Sequence, residues 1–291
     1  MSAQFPIADA HLHFWNPRAN YHPWLCDHPP IPFRYGDYSA LRRPYLPADY
    51  FDDVGRHLVV KTVYVETEWD PRDPVGEMFY VGRLRRESGF PTVAVAQAWL
   101  DRGDLAATLE GLAQFDFVRG IRHKPRAGQM SEPRWREGFK VLARRRLRFD
   151  LQAPWTQLGE AARLARDFPD ARIILNHAGL PADRSREGIA GWKAALRAFA
   201  ASPNVAVKIS GLGVPGQAWT AKSNREIVLA AIDIFGIGRS MFASNFPVDG
   251  LCAGFDAIVS GMLDIVHDFA AAEQRALFHD NAIRIYDMER R

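Results

Sequence analysis

The sequence predicts an α/β protein folded as one closed, parallel (β/α)8 TIM barrel. Eight short apolar runs rich in β-branched residues alternate with amphipathic helical segments, which is the pattern of parallel βαβ units. The chain has 291 residues, of which 47% are hydrophobic. A barrel of this kind needs roughly 250 residues as a single unit. We therefore expect residues 1–291 to form a single domain.

The predicted strands are short, and most of them end in a polar residue. They are Ile7–His11, Leu58–Glu66, Thr92–Trp99, Val118–Arg122, Arg148–Gln152, Arg172–His177, Val205–Ser210 and Met241–Asn245. An open doubly wound sheet is the alternative, but no Gly-x-Gly-x-x-Gly motif follows the first strand, which disfavours its dinucleotide-binding version.

Helical periodicity predicts the segments between the strands. They are Val75–Ser88, Asp104–Gln114, Pro133–Arg145, Gln157–Asp167, Gly191–Ala201, Ser223–Phe235 and, after the last strand, Phe255–Phe269. Thr156 precedes one of these helices and Pro169 follows it, and Pro203 separates another helix from the seventh strand.

One connection, Phe14–Asp53, is unusually long and contains seven prolines and many aromatic residues. Loops of this length in compact domains are usually functional or disordered, and the aromatic content argues against disorder. Because it follows the first strand, we expect it to lie over the C-terminal mouth of the barrel, where the active sites of this fold are found.

Composition excludes several classes of function. The net charge of +3 is too balanced for a nucleic-acid-binding protein. The two cysteines, Cys26 and Cys252, form neither a disulfide framework nor a thiolate metal motif. No N-terminal signal pattern and no apolar run of about 20 residues is present. We expect a soluble, cytoplasmic protein with neither nucleic-acid nor membrane partners; the sequence leaves its oligomeric state open.

Three short motifs contain candidate catalytic residues. They are Asp-Ala-His-Leu-His (9–13), Leu-Asn-His-Ala-Gly (175–179) and Ala-Ser-Asn-Phe-Pro (243–247). Side chains two residues apart share a face of a strand, so His11 and His13 point the same way. In a barrel, the C-terminal ends of all strands converge. The other polar groups at these ends are Glu66, Arg122, His123, Gln152, His177, Lys208, Asn245 and Asp249. By strand parity, Arg122 and His123 face opposite sides.

The chain resembles the amidohydrolase superfamily, in particular the amidohydrolase-2 branch of TIM-barrel lactonases. That branch includes enzymes acting on L-fuconolactone, sulfomuconolactone and 2-pyrone-4,6-dicarboxylate. The resemblance runs nearly end to end. Its matching phrases are Asp-Ala-His-Leu-His-Phe-Trp-Asn-Pro (9–17), Tyr-His-Pro-Trp-Leu (21–25), Gly-Ile-Arg-His (120–123), Asn-His-Ala-Gly (176–179), Lys-Ile-Ser-Gly-Leu (208–212), Ser-Asn-Phe-Pro-Val (244–248) and Asn-Ala-Ile-Arg-Ile-Tyr (281–286).

The resemblance implies a hydrolase that opens a lactone ring, with His11, His13 and His177 as the family histidines. The family's eighth-strand aspartate, which helps to activate water, falls on Asn245, and an amide cannot accept that proton. The fifth-strand histidine of the wider superfamily falls near Gln152. Both departures argue against a binuclear centre. The expectation is either one weakly held divalent ion of the Zn²⁺ type on His11, His13 and His177, or no metal.

The predicted roles divide into two groups. The catalytic candidates are His11, His13, His177, Asp249, Glu66 and Arg122, with Asp249 or Glu66 as the carboxylate that replaces the missing acid. The substrate-binding candidates are Asn245, Lys208, Arg34, Trp24, Gln152 and His123. Arg34, Arg42, Arg122 and Arg126, in or near the mouth, favour an acidic substrate by charge. We expect the substrate to be a small acidic or polyhydroxylated lactone. Two alternatives are a metal-dependent non-oxidative decarboxylase of the same branch, which Asn245 disfavours, and a barrel that binds a sugar acid without converting it.

Overall fold

A computed structural model describes residues 5–289, in which eight parallel strands form one sheet in sequence order. The strands are β1 (Ile7–Leu12), β2 (Val59–Val65), β3 (Val93–Gln97), β4 (Val118–His123), β5 (Arg148–Leu151), β6 (Ile173–Leu175), β7 (Val205–Ile209) and β8 (Ser240–Phe242). The segment after β8 joins β1 through a parallel bridge between Leu12 and Phe246. The His13 amide donates to the Phe246 carbonyl at 2.8 Å, which closes the sheet. The TIM-barrel prediction is confirmed.

Helices alternate with the strands and surround the barrel. They are α1 (Pro23–Cys26), α2 (Pro47–Val54), α3 (Gly76–Ser88), α4 (Leu105–Leu112), α5 (Pro133–Arg144), α6 (Leu158–Asp167), α7 (Arg186–Ala200), α8 (Ala221–Phe235), α9 (Phe255–Ile265), α10 (Ala271–Arg275) and α11 (Asn281–Tyr286). Within residues 5–289, none of these helices is long and apolar enough to cross a membrane.

The predicted element boundaries differ from the structure by up to five residues, and three of the differences stand out. The sixth and eighth strands are shorter than predicted because His177 and Asn245 adopt positive φ angles of 54° and 56°, which takes the chain out of the extended conformation. Helix α7 begins five residues earlier than predicted, because the Ser185 hydroxyl caps it by accepting the Gly188 amide at 3.0 Å. The segment after β1 was predicted as a single loop, but it contains the helices α1 and α2.

The buried residues form two apolar clusters on either side of the sheet. The larger cluster fills the layer between the strands and the helices. The smaller one combines alanines, valines and other strand residues with α11, including Tyr286 and Ile285. The Arg148 guanidinium, at the start of β5, donates to the Ile285 carbonyl at 2.9 Å, so α11 lies across the amino-terminal end of the barrel.

The long segment after β1 lies over the opposite end, as predicted. Trp15 and Tyr45 exchange backbone hydrogen bonds of 2.9 Å and form an antiparallel bridge within the segment. The Trp24 indole donates to the Thr67 carbonyl at 2.9 Å and stacks on Phe33. These contacts place apolar and aromatic side chains above the carboxyl ends of the strands.

Candidate active site

A pocket of about 360 Å³ lies at the carboxyl ends of the strands, beneath the long segment. Strand ends supply its polar residues: His13, Arg122, Gln152, His177 and Asn245. The segment contributes Trp15, Trp24, Ile31, Phe33 and Arg34. The remaining lining residues are Thr67, Glu68, Lys124, Leu180 and Val248. The pocket therefore combines apolar walls with a few polar groups, as small-molecule sites usually do.

The three family histidines meet at the floor of this pocket. The ring centroid of His11 lies 4.9 Å from that of His13 and 4.7 Å from that of His177. His13 and His177 line the pocket, whereas His11 is fully buried beneath them. Burial is the largest of the effects that hold the pKa values of all three well below their usual range. The rings are therefore neutral near pH 7.

The backbone fixes the tautomer of His13. Its Nδ1 lies 2.8 Å from the Val65 carbonyl oxygen, which can only accept a hydrogen bond. In the neutral ring, Nδ1 therefore carries the hydrogen and Nε2 carries the lone pair. His13 thus presents a proton acceptor at the pocket floor.

His11 has the opposite tautomer because of Lys208. The Lys208 ammonium, paired with Asp150 at 2.6 Å, lies 3.5 Å from Nδ1 of His11. An ammonium offers no lone pair, so His11 must present its own lone pair at Nδ1 and carry its hydrogen at Nε2. That Nε2 atom is buried and has no hydrogen-bond partner among residues 5–289. His11 is therefore placed as an N–H donor.

His177 is held in a left-handed turn. His177 and Ala178 have φ angles of 54° and 49°, a conformation that costs non-glycine residues energy and is common at functional sites. Nδ1 of His177 lies 2.9 Å from the Ser210 hydroxyl. A Cβ atom on Gly211 would lie 2.8 Å from Cγ of His177, so only glycine lets the chain just after β7 approach the ring this closely.

Asp249 lies behind Asn245. One oxygen, Oδ1, accepts hydrogen bonds from the Asn245 amide nitrogen at 2.6 Å and from the Tyr35 hydroxyl at 2.9 Å. The other, Oδ2, accepts the Gly211 backbone amide at 2.8 Å. Since the Asn245 nitrogen is committed to Asp249, the carbonyl oxygen of Asn245 is the atom that faces His13, and it accepts a hydrogen bond from the ring only when the ring is protonated. Asp249 therefore orients the amide and does not line the pocket.

Glu66 and Arg122 form a buried pair that fixes the guanidinium. Arg122 donates from Nε to the Glu66 carboxylate at 2.5 Å, from Nη2 to the Glu66 carbonyl at 2.6 Å and from Nη1 to Gln152 at 3.0 Å. Both side chains of the pair are almost completely buried. Glu66 is thus occupied as a partner of Arg122, and the guanidinium is held in a rigid orientation at the wall of the pocket.

Arg34 brings a second guanidinium into the pocket from the long segment. Its Nη2 lies 3.6 Å from the Asp249 carboxylate, and its guanidinium stacks 4.5 Å from the Tyr35 ring centroid. Its Nη1 is buried without a partner in the part of the chain that the structure describes. A buried, unsatisfied donor of this kind at a pocket wall is suited to a ligand oxygen.

The structure thus brings seven of the twelve predicted site residues to the pocket wall: His13, His177, Arg122, Asn245, Arg34, Trp24 and Gln152. His11, Glu66 and Asp249 lie directly behind this wall. The prediction that Lys208 contacts the substrate is wrong, because its side chain is fully buried against Asp150. His123 does not line this pocket, and its Nδ1 accepts hydrogen bonds from Trp135 and the Leu100 amide. Its contact with the substrate stays a prediction.

Sequence reasoning missed Glu68 and Lys124, which form an ion pair across the pocket rim. Glu68 lies just beyond β2 and Lys124 just beyond β4. Outside a strand, the alternating pattern no longer predicts which way a side chain points. Glu68 also has a positive φ of 54°. A charged residue two positions past a predicted strand end, Glu66 or Arg122, was the available signal.

The residues at the floor fit a divalent cation poorly. The unpartnered Nε2 of His11 would suit a metal, but the tautomer that Lys208 favours places a hydrogen there. Asn245 offers no negative charge to balance a cation. The positive charges of Arg34, Arg122 and Lys208 all lower the pKa of His177, and the same charges would repel a metal ion there. Among the described residues, no group of three or more His, Cys, Asp or Glu side chains is arranged to hold a metal ion.

A family model described as amidohydrolase matches residues 8–288. The chain belongs to the amidohydrolase family. This amidohydrolase is 40% identical over 294 residues to the uncharacterized protein y4mH of Sinorhizobium fredii, a match that covers 96% of this chain and 98% of that protein.

This amidohydrolase is also similar in sequence to a lactonase and in structure to a solved amidohydrolase. It is 27% identical to the L-fucono-1,5-lactonase of Burkholderia multivorans, with 96% of this chain and 95% of that one covered. An amidohydrolase from Burkholderia multivorans solved with bound zinc superposes with a TM-score of 0.81 at 27% identity, covering 97% of this chain and 99% of that one.

Proposed function

We propose that this amidohydrolase opens the ring of a small acidic or polyhydroxylated lactone by general-base catalysis, without a bound metal. The observation that carries the proposal is the pairing of a proton acceptor, Nε2 of His13, with the guanidinium groups of Arg122 and Arg34 in one pocket. Its similarity to L-fucono-1,5-lactonases supports the reaction class.

The geometry supports a simple sequence of proton transfers. His13 takes a proton from water as the water attacks the ring carbonyl. The protonated ring then donates from Nδ1 to the Val65 carbonyl and from Nε2 to the Asn245 carbonyl, so these contacts strengthen only as the reaction proceeds. Arg122, fixed by Glu66, stabilises the oxyanion. The proton on His13 passes to the departing ring oxygen, which leaves a hydroxy acid.

Two predicted catalytic roles change under this proposal. Asp249 and Glu66 are positioning residues, because each carboxylate is already occupied by fixed donors within the protein. His11 supplies an N–H beneath the pocket, and His177 contacts the substrate or water from the adjacent wall. Arg34 binds a hydroxyl or carboxylate of the substrate through its unpartnered Nη1.

A pH-indicator assay over a panel of sugar-acid and muconate-type lactones tests the proposal. We expect at least one lactone to be opened at the same rate with and without a chelator. Loss of activity with chelator, restored by Zn²⁺, would contradict the metal-free mechanism. Release of carbon dioxide from an acid substrate would identify a decarboxylase, and tight binding without turnover would identify a binding protein.

A further inference from the structure

A second cavity of about 550 Å³ lies beside the active-site pocket, over the ends of β3 and β4. Gln97, Trp99 and His123 contribute to its lining. The two cavities share Glu68, Arg122 and Lys124 as a common wall. A ligand in the second cavity would therefore be adjacent to one in the active-site pocket.

Two of the three residues in the common wall, Glu68 and Lys124, form a partly exposed ion pair. The side chains of Lys124 and Glu68 are 35% and 44% exposed, although they contact each other directly. A third cavity, of about 360 Å³, touches Glu68, Trp24, Gln97 and Trp99, and so adjoins both of the others. Because the three cavities adjoin one another, together they offer more space than one lactone ring requires.

Six of the seven charged residues that line the second cavity form ion pairs. The pairs are Glu66 with Arg122, Glu68 with Lys124, Arg102 with Asp104 and Arg126 with Glu132. Asp101 accepts a hydrogen bond from Gln129 at 2.8 Å. This balance favours a neutral ligand, because a charged one would have to compete with an existing ion pair.

Gln97 shows what kind of ligand would fit. Its side chain is only 7% exposed, and its Oε1 is buried without a hydrogen-bond partner within residues 5–289. Gln97 lines the second cavity at the end of β3. A buried amide oxygen without a donor carries a desolvation penalty that a ligand hydroxyl would remove.

We infer that the second cavity is a subsite for a neutral, hydroxylated ring attached to the lactone, and that Gln97 accepts a hydrogen bond from one of its hydroxyls. The substrate is then a sugar-acid lactone that carries a glycosyl unit. Trp99, which lines two of the cavities, provides an apolar surface for that ring. This inference rests on the proposed lactone hydrolysis.

Kinetics on matched lactones test the subsite. Gluconolactone serves as the parent substrate, and maltobionolactone, lactobionolactone and melibionolactone carry a second ring in three linkages. We expect kcat/KM for at least one of them to exceed that for gluconolactone about tenfold or more. Gln97→Leu should reduce this preference about fivefold to tenfold, mainly through KM, because one hydrogen bond is lost. Gln114→Leu, at an exposed position just after α4, is the matched control and should keep the preference.

Two results would overturn the subsite: no glycosylated lactone is preferred, or the preference survives Gln97→Leu. If no lactone at all is opened, the proposed function fails, and the subsite is judged by binding. Saturation-transfer NMR with maltose, lactose and melibiose should then show contact in the wild-type protein that Gln97→Leu weakens. Absence of contact with all three sugars would refute the subsite as well.

Discussion

His13 shows how a backbone carbonyl can assign a chemical role to a side chain. The Val65 carbonyl holds the hydrogen on Nδ1, and Asp249 turns the carbonyl of Asn245 toward the ring. A neutral His13 therefore accepts a proton at one atom, and its protonated form has an acceptor at each nitrogen. In the proposed mechanism, this arrangement takes the place of the carboxylate that the family resemblance implies at position 245.

Replacing His13 should remove the base without disturbing the barrel. We expect His13→Ala to lower kcat about 10²–10⁴-fold on any lactone that the wild-type protein opens, which is the usual contribution of a general base. His28→Ala, an exposed histidine of the long segment, is the control and should leave kcat unchanged. A His13→Ala variant with kcat near that of the wild type would exclude His13 as the base.

The pH dependence of the reaction follows from the burial of the same ring. Burial, followed by the charge of Arg122, lowers the pKa of His13 well below 6.5. Because the base must be neutral, activity is lost only when the pH falls below that lowered pKa. The acid limb of kcat/KM should therefore lie below pH 6.5, and a limb centred above pH 7 would contradict this assignment.

Restoring the family's acid at position 245 should not help this chain. Asn245→Asp would place a carboxylate against Asp249, whose Oδ1 lies 2.6 Å from the present amide nitrogen. Two adjacent carboxylates repel, and one of them binds a proton. We expect kcat/KM at pH 7 to fall about tenfold or more, whereas the double variant Asn245→Asp with Asp249→Asn should recover part of it. Higher activity in the single variant would contradict the orienting role of Asp249.

Among the secondary-structure elements, the ends of the strands matter more than their middles. The extended conformation ends before Glu68, His177 and Asn245, each of which has a positive φ. These left-handed residues turn the chain across the mouth instead of away from it. A pattern of alternating residues cannot report this change, because it assumes an extended backbone.

Helix α3 contains a buried carboxyl near its start that links it to β2. One oxygen of Glu77 accepts hydrogen bonds from the Tyr64 hydroxyl at 2.9 Å and from the backbone and hydroxyl of Thr67 at 2.7 and 2.8 Å. Burial, together with the charge of Glu66, raises the pKa of Glu77 from 4.5 to about 8. The folded state therefore holds this proton more tightly than the unfolded state does.

The free energy of unfolding should consequently fall as the pH rises from about 4.5 to about 8. The stabilising contribution is complete below pH 4.5 and is lost as the pH passes 8, a change on the order of 5 kcal/mol. Glu77→Gln removes the titration, so the stability of this variant relative to the wild type should increase between pH 5 and pH 9. Glu87→Gln, on the exposed face of α3, is the control. Urea unfolding at both pH values measures the difference, and a pH-independent difference would contradict the assignment.

At the scale of the whole molecule, the barrel contains a buried polar triad beneath the active site. Asp150 accepts the Lys208 ammonium at 2.6 Å and the Tyr286 hydroxyl at 2.8 Å. The triad connects β5, β7 and α11. It therefore links the amino-terminal end of the barrel, which α11 covers, to the floor of the pocket. Its Lys208 also sets the tautomer of His11.

Breaking this triad should destabilise the whole barrel. Asp150→Ala leaves a buried ammonium without its partner, which typically costs about 3–5 kcal/mol. A triple variant, Asp150→Leu with Lys208→Met and Tyr286→Phe, removes all three polar groups and should recover most of that loss. Chemical denaturation at pH 7 distinguishes the two variants. Equal stability of Asp150→Ala and the wild type would show that the pair contributes nothing.

The sequence by itself determined the barrel, the position of the long segment over its mouth and the strand ends that carry His13, Arg122, His177 and Asn245. These features follow from local periodicity and from the rule that parallel strands end on one side. The tertiary structure alone decided which polar residues face the pocket. It placed Lys208 in the core and Asp249 behind Asn245, and it brought Glu68 and Gln97 to adjoining cavities. Such assignments depend on hydrogen bonds between distant strands, which a one-dimensional pattern does not contain.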